Sequence, residues 1–281
     1  MTHVKKNFVF FYFLDICYKY DKSVDNRRRS DTPRGKPRGI LQRVLIMVGT
    51  GEIYVMDIAN VTRTAFDLLK EKIITGELKP RQKLSETGLS LQLGISRPPL
   101  REAFRLLEKD HFVINIPRKG TYVAGLSIKD YLEISQIRKM IECYAIDYLK
   151  AAKIRNLPDM TESLKRACGF TVPANSDNPE LILAHTKVML DFHIRLVEAA
   201  GNSRLNSIYN SINVNLLRYQ FIYFNYRSST QHSLDDHMDI VKAIQNGDYD
   251  HAKKDLIKHI GFTMKVVKKK ISDTSSIGRT E

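Results

Sequence analysis

KLSETGLSLQLGISRPPLREAFRLLEKDHFVINIPRKGTYVAG, residues 83–125, switches its hydrophobic period from helical to strand-like and places a glycine turn between two cap signals. Ser85 is placed to cap a first helix, its hydroxyl accepting from a free backbone N–H. That helix carries Leu89 and Leu93 on one side and stops at Gly94, where a left-handed turn is cheap. Ser96 then stands as the cap of a second helix. Pro98 and Pro99 suit its first turn, which needs no N–H for the ladder. Leu100, Ala103, Phe104 and Leu107 fall at i, i+3, i+4 and i+7 and predict a buried stripe. Arg97, Arg101 and Arg105 recur every four residues along the polar face. After Phe112 the spacing of Val113, Ile114 and Ile116 is that of a strand, followed by a Pro117-Arg118-Lys119-Gly120 tip and a return through Thr121 to Val123.

An arginine trio alone is no more than a solvated helix face. With cap, turn, stripe and basic hairpin all in register, it reads as a helix-turn-helix whose second helix enters a major groove. The hairpin then reads as a wing reaching the flanking backbone or minor groove. LSETGLSLQLGISRPPLREAFRLLEKDHFV and PRKGTYV resemble the winged helix-turn-helix of the GntR transcriptional regulators. The resemblance implies contacts to double-stranded DNA from Ser85, Thr87, Ser96, Arg97, Arg101 and Arg105, and from Arg118, Lys119 and Gly120 at the wing. One departure is His111, where the family usually has glycine, which predicts a stiffened or re-aimed corner before the wing.

A length of 281 residues predicts two domains, and a hydrophobic fraction of 43% supplies real cores. The net charge of +14 suits a polyanion partner, since Lys and Arg release condensed counterions at phosphates. A membrane surface would accept the same charge. The three cysteines, Cys17, Cys143 and Cys168, form no CxxC pair, so neither a disulfide framework nor a cysteine zinc site is indicated. That usage predicts a reducing, cytoplasmic compartment. No apolar run approaches the ~20 residues that span a bilayer.

Residues 1–55 read as an extension outside the fold, disordered or preceding the true translation start at Met47 or Met56. NFVFFYFL at 7–14 follows Lys5 and Lys6 as a signal-peptide core would, yet Asp15 and Lys19 come too soon and no small-residue cleavage site follows. Asp25 to Gly39 is basic and aperiodic, a disordered pattern. Arg27-Arg28-Arg29 reads as a solvated tail or as extra phosphate contacts. Val61 to Thr75 is an amphipathic helix with Ala65, Phe66, Leu69 and Ile73 on one face, ended by Gly76. Residues 56–126 thus make one domain, the DNA-reading one.

Ser127 opens the second domain, with Asp130 as a carboxylate variant of a capping box. Ile134, Ile137, Ile141, Tyr144 and Tyr148 mark a long helix. Every convincing segment from there to about residue 271 has helical period, with loops near 157–158, 171–179, 201–202, 227–230 and 247–248. The fold class is therefore mainly α, a winged helix-turn-helix followed by an all-α antiparallel bundle, with a disordered tail at 272–281. QIRKMIE, DFHIRLVEAAGN and DDHMDIVKAIQNGDYDHAKKDLIKHI resemble the FCD ligand-binding domain of the FadR-like branch of the same family. A homodimer on a palindromic operator follows from that resemblance, and repression is its commoner mode.

His193, His237 and His259 each lie on an apolar stripe and should face the bundle interior. A single buried histidine is ordinarily a hydrogen-bonded core residue. Three on three helices form a natural metal site, suited to zinc or nickel. In the resemblance such sites carry three His and an Asp four residues before the first. Here that position is Met189, and Asp191 points to nearly the opposite side of the helix. The site is then three-His with water or a ligand carboxylate completing it, or weaker, or holds no metal. Arg138 matches the family's effector-facing arginine and would pair with a small organic acid. It would equally make a routine helix-surface pair with Glu142. Asn202 reads as a cap. A sequence-specific regulator is the reading of the whole. A non-specific architectural DNA binder, or a three-His hydrolase, would use fewer of these features, and no HExxH, GxSxG or glycine-rich phosphate loop supports an enzyme.

Overall fold

The computed structural model describes residues 43–47, 53–170, 172, 176–225 and 229–277. The chain divides into two compact units between Ala124 and Gly125, close to the boundary expected after residue 126. The segment 7–14, the Arg27-Arg28-Arg29 run and the rest of 1–42 lie outside the described residues.

In the first unit, α1 (Ile58–Ile74) buries Val61, Ala65, Phe66, Leu69 and Ile73 and packs on α3 (Arg97–Lys109). It begins before the expected Val61 and ends at Ile74, followed by a turn at Gly76, whose φ of 81° is left-handed. Between them lie β3 (Lys83–Leu84) and α2 (Glu86–Leu93). The Ser85 hydroxyl accepts from the Gly88 N–H at 3.1 Å, and Gly94 closes α2 at φ 66°. Leu100, Ala103, Phe104 and Leu107 are all buried, the stripe expected from their spacing. A Leu100→Ala change would cost about 2–5 kcal/mol.

Ser96 occupies the cap position of α3, but its side chain makes no cap hydrogen bond. The cause lies in the sequence: a cap hydroxyl accepts from the second or third helical N–H, and Pro98 and Pro99 have none. The Ser96 hydroxyl is exposed instead.

The wing is β4 (Val113–Ile116) and β5 (Gly120–Val123), antiparallel, with Val113 opposite Val123 and Ile116 opposite Gly120. β3 adds to the other edge of β5, giving the order β3-β5-β4. Two residues are too few to show a period, so β3 was invisible in the sequence. At the tip the Lys119 N–H donates to the Ile116 carbonyl at 3.0 Å, with Arg118 left-handed at φ 64°.

The assignment of residues 1–55 to a region outside the fold needs correction at its end. β1 (Arg43–Met47) and β2 (Ile53–Asp57) pair antiparallel, Arg43 opposite Asp57 and Met47 opposite Ile53. Both are runs of strand formers flanking a stretch with Gly49 and Gly51, a hairpin pattern.

The second unit is all-helical among the described residues: α4 (Ile128–Ala152), α5 (Pro158–Gly169), α6 (Pro179–Glu198), α7 (Ser203–Phe224), α8 (Ser229–Asn246) and α9 (Tyr249–Ile277). Asn178 and Asn202 cap α6 and α7 through their side-chain oxygens. Ser127 caps α4 by accepting from the Asp130 N–H at 3.2 Å. The return arm of the capping box is absent. The Asp130 carboxylate accepts from the Tyr219 hydroxyl at 2.7 Å, and the Ser127 N–H meets that hydroxyl at 3.4 Å. The long helix has two apolar faces. Ile134 and Ile141 are buried, while Ile137, Met140, Tyr144 and Tyr148 are exposed. α9 continues through Ile277, past the end expected near residue 271, because nothing breaks a helix before Gly278. Among the described residues no helix is long and apolar enough to cross a membrane.

Candidate nucleic-acid interface and histidine chamber

In the first unit Thr87, Ser96, Arg97, Arg101 and Arg105 are exposed, at the start of α2 and along α3; Ser85 is also exposed, at the α2 cap. The Arg101 Nε donates to Glu86 Oε2 at 2.8 Å and the Arg105 Nη1 to Glu102 Oε2 at 3.1 Å. Exposed pairs of this kind are worth about 0.2–1 kcal/mol, so phosphates can displace them. Arg118 and Lys119 are exposed at the wing tip, and Gly120 begins β5 with φ 106°. The Asn115 N–H of β4 donates to Glu108 Oε1 of α3 at 3.2 Å and ties wing to helix, a link the sequence did not announce. His111 sits at φ 59°, the conformation that glycine adopts most easily, so the corner keeps its shape at some backbone cost.

In the second unit, α6, α8 and α9 bring His193, His237 and His259 together, with one ligating nitrogen of each within 4.8 Å of the others. All three are buried. His237 Nε2 faces His259 Nε2 at 3.2 Å. His193 Nδ1 lies 2.8 Å from Glu142 Oε2, and His259 Nδ1 lies 3.1 Å from Asp236 Oδ2. Burial, then the nearby Arg138 guanidinium, pushes His193 down to about 3 despite the attraction of Glu142. Burial and the neighbouring imidazoles push His237 far down, and burial outweighs Asp236 at His259. The rings are therefore neutral at pH 7. Each Nδ1 that faces a carboxylate carries the proton, which leaves Nε2 of His193 and His259 unprotonated, that of His259 facing His237 Nε2.

This donor set fits a divalent metal. Two of the three imidazoles have their outer nitrogen held by a carboxylate, as metal-bound imidazoles do, while the Nδ1 of His237 is buried without a partner. No carboxylate is among the three ligating residues. Met189 is buried one turn before His193, and Asp191 points away, bound by Arg166 and by Arg195 at 3.2 Å. Nitrogen-only ligation favours zinc, nickel or copper over hard cations.

Arg138 makes the pair with Glu142 that the spacing allowed, in a different place from the one expected. It pairs with Glu142, Nε to Oε1 at 2.7 Å, but the pair is sealed in the interior and is no surface pair. Burial alone would drive Arg138 down and Glu142 up. Their mutual attraction overrides both effects, and the Glu142 carboxyl is held well below the usual range with help from His193 and Tyr209. The Tyr209 hydroxyl also donates to Glu142 Oε1. Glu142 thus touches the arginine, a tyrosine and a histidine of the three-His cluster. Arg138 Nη2 is buried and has no partner. Neither the role of Glu142 as a hub nor that of Tyr209 is signalled by any local pattern. Asp236 could have been suspected from its place beside His237 in DDHMD.

Residues 61–123 match the family described as bacterial regulatory proteins, gntR family, and residues 133–262 match the FCD domain. YdhC of Bacillus subtilis (strain 168), described as an HTH-type transcriptional regulator, is 28% identical over 200 residues, which span 69% of this chain and 85% of YdhC. The gluconate operon transcriptional repressor of Bacillus licheniformis is 27% identical over 196 residues, 67% of this chain and 77% of that protein. A crystal structure from Rhodococcus sp. RHA1, described as a GntR transcriptional regulator, shares the fold with a TM-score of 0.61 at 21% identity, covering 73% of this chain and 96% of its own. These relatives are described as transcriptional regulators. With a winged helix-turn-helix in one unit and an FCD bundle in the other, this chain belongs to the GntR family of bacterial transcriptional regulators.

Proposed function

We propose that the chain is a dimeric repressor whose affinity for a palindromic operator is set by a small carboxylate bound in the histidine chamber beside a divalent metal. The observation that carries this is Arg138: a guanidinium sealed from solvent, with Nη2 unmatched, whose partner Glu142 touches His193 of the imidazole cluster. A buried cation with an open donor suits a carboxylate from outside.

On the DNA side, the start of α3 enters the major groove. Arg97, Arg101 and Arg105 contact base edges and phosphates, Ser85, Thr87 and Ser96 contact the backbone, and Arg118, Lys119 and Gly120 bring the wing to the flanking groove. Ser96 supports this directly, because its hydroxyl is exposed and not spent on a cap. On the ligand side, His193, His237 and His259 would hold zinc or nickel, which supplies positive charge and Lewis acidity to a carboxylate oxygen. Glu142 and Asp236 orient two of the rings. The exposed apolar face of α4, with Ile137, Met140, Tyr144 and Tyr148, suits a second copy of the chain. Repression is supported by a relative named as a repressor of a gluconate operon.

A thermal-shift screen of small carboxylates, with and without zinc or nickel, tests the proposal, followed by operator binding with each hit. A carboxylate that raises the melting temperature more with metal present, and changes operator affinity by about 5–150-fold, is the expected result. No stabilising acid, or a tight binder that leaves operator affinity unchanged, contradicts it.

A further inference from the structure

The first turn of α4 is closed by a residue from another helix. Ser127 and Asp130 have the spacing of a capping box, in which an acidic side chain returns to the N–H of the cap residue. Here the Tyr219 hydroxyl of α7 stands between the two. The Ser127 N–H donates to that hydroxyl at 3.4 Å, and the hydroxyl donates to Asp130 Oδ2 at 2.7 Å. The Ser127 carbonyl lies 3.2 Å from the same oxygen, but a phenol has one proton, and the carboxylate is the nearer and stronger acceptor. That carbonyl accepts from the Tyr131 N–H at 3.0 Å. The Tyr219 ring is buried, 4.8 Å from the Tyr131 ring.

Helix α7 brings a second buried hydroxyl to α4. Tyr209 donates to Glu142 Oε1, and the other oxygen of Glu142 meets His193 Nδ1 at 2.8 Å. At 1.5 Å of rise per residue, Tyr209 and Tyr219 stand about 15 Å apart along one helix. Leu216 and Tyr219 belong to one apolar cluster with Tyr131, and Leu126 and Ile128 pack against it. One packed helix therefore meets the histidine cluster through Glu142 at one level and the start of α4 at another. That start follows closely on the division between the two units after Ala124. Close packing passes a displacement along such a helix instead of absorbing it.

We propose that Tyr219 is a positioning residue, and that the cap it completes carries metal occupancy of the histidine cluster to the connector of the DNA-binding unit. This rests on the metal reading of the cluster and goes beyond it, to how that site is read out. A metal held by the rings stiffens His193, and with it Glu142 and Tyr209, so that α7 is fixed against α4. The bridge at Tyr219 then opens less often. When the bridge opens, Asp130 can close the box by itself, and the start of α4 no longer answers to α7. Coupling between separated places needs an element with two such arrangements.

The test is amide hydrogen exchange, read by mass spectrometry on the full-length protein with and without saturating zinc, with zinc binding measured by titration calorimetry. In the parent, zinc should slow exchange of the Ser127, Asp130 and Tyr131 amides by about 2–10-fold, the strength of one hydrogen bond. Tyr219→Phe keeps the ring and loses the hydroxyl. It should bind zinc as the parent does and lose the slowing. Tyr209→Phe should lose it too, although its Tyr219 contact is untouched. A Tyr219 with a purely structural role would shift these amides by the same factor with and without zinc and leave the slowing intact. That result, or a parent that binds zinc with these amides unaffected, overturns the inference and leaves the metal reading standing. A parent that binds no zinc overturns both.

Discussion

Arg138 Nε donates to Glu142 Oε1 at 2.7 Å across one turn of α4, and neither side chain reaches solvent. Breaking such a pair from one side leaves a buried charge unmatched, which costs about 3–5 kcal/mol. Glu142→Gln should therefore lower stability by that order in urea unfolding. It should also loosen zinc by about 10–100-fold, because His193 loses the carboxylate that orients it. Removing both charges, Arg138→Met with Glu142→Gln, should recover much of the stability but not the metal affinity. A double variant as unstable as Glu142→Gln would show that the pair is not coupled.

Arg101 is held by Glu86 at 2.8 Å on the exposed side of the helix-turn-helix. Arg101→Ala should weaken operator binding and relax base preference by about 1–3 kcal/mol at one position. Glu86→Gln should tighten binding slightly by releasing Arg101. Lys119→Ala at the wing should weaken all sequences alike and lower the salt slope by about one. Gel-shift titrations at several salt concentrations read all three, and unchanged preference in Arg101→Ala would place that side chain outside the groove.

His111 holds φ 59° without the freedom of glycine. His111→Gly should stabilise the winged unit by about 0.5–1 kcal/mol, the relief of left-handed strain less the extra entropy of an unfolded glycine. Thermal unfolding measures this, and a lower melting temperature would mean that the imidazole itself holds the corner.

His185 is buried among Phe170 and Phe224, with Nε2 unmatched, and burial lowers its pKa below 6.5. Above pH 6.5 both folded and unfolded chains are neutral here. As the pH falls below 6.5 the unfolded chain takes up a proton that the folded chain refuses, so stability is lost toward acid. His185→Leu should flatten that acid limb of the unfolding midpoint. An unchanged limb would mean that the folded protein admits the proton at this site.

Much of the fold was legible because each element announced itself in a local pattern. Ser85 and Gly94 bracket α2, and the Leu100, Ala103, Phe104 and Leu107 stripe follows the helical period. The three histidines converge as expected because each shared a stripe with residues such as Leu190, Ile240 and Leu256, all buried. The failures come from information that is not local. Ser96 was misjudged because the prolines that begin its helix remove the donors a cap would serve. The apolar residues of α4 mark a helix but do not say which of them are buried, because its exposed face is apolar too. In the sequence Glu142 offers only an i, i+4 partner for Arg138, since nothing within α4 shows that α6 and α7 bring His193 and Tyr209 to the same carboxylate.

Selection of bound duplexes from a random DNA pool, at fixed salt and with bulk competitor, is the most direct measurement. The account predicts recovery of one palindrome, bound at least about a thousandfold more tightly than bulk DNA. Recovery of unrelated sequences, held only in proportion to charge and released together by salt, would contradict it.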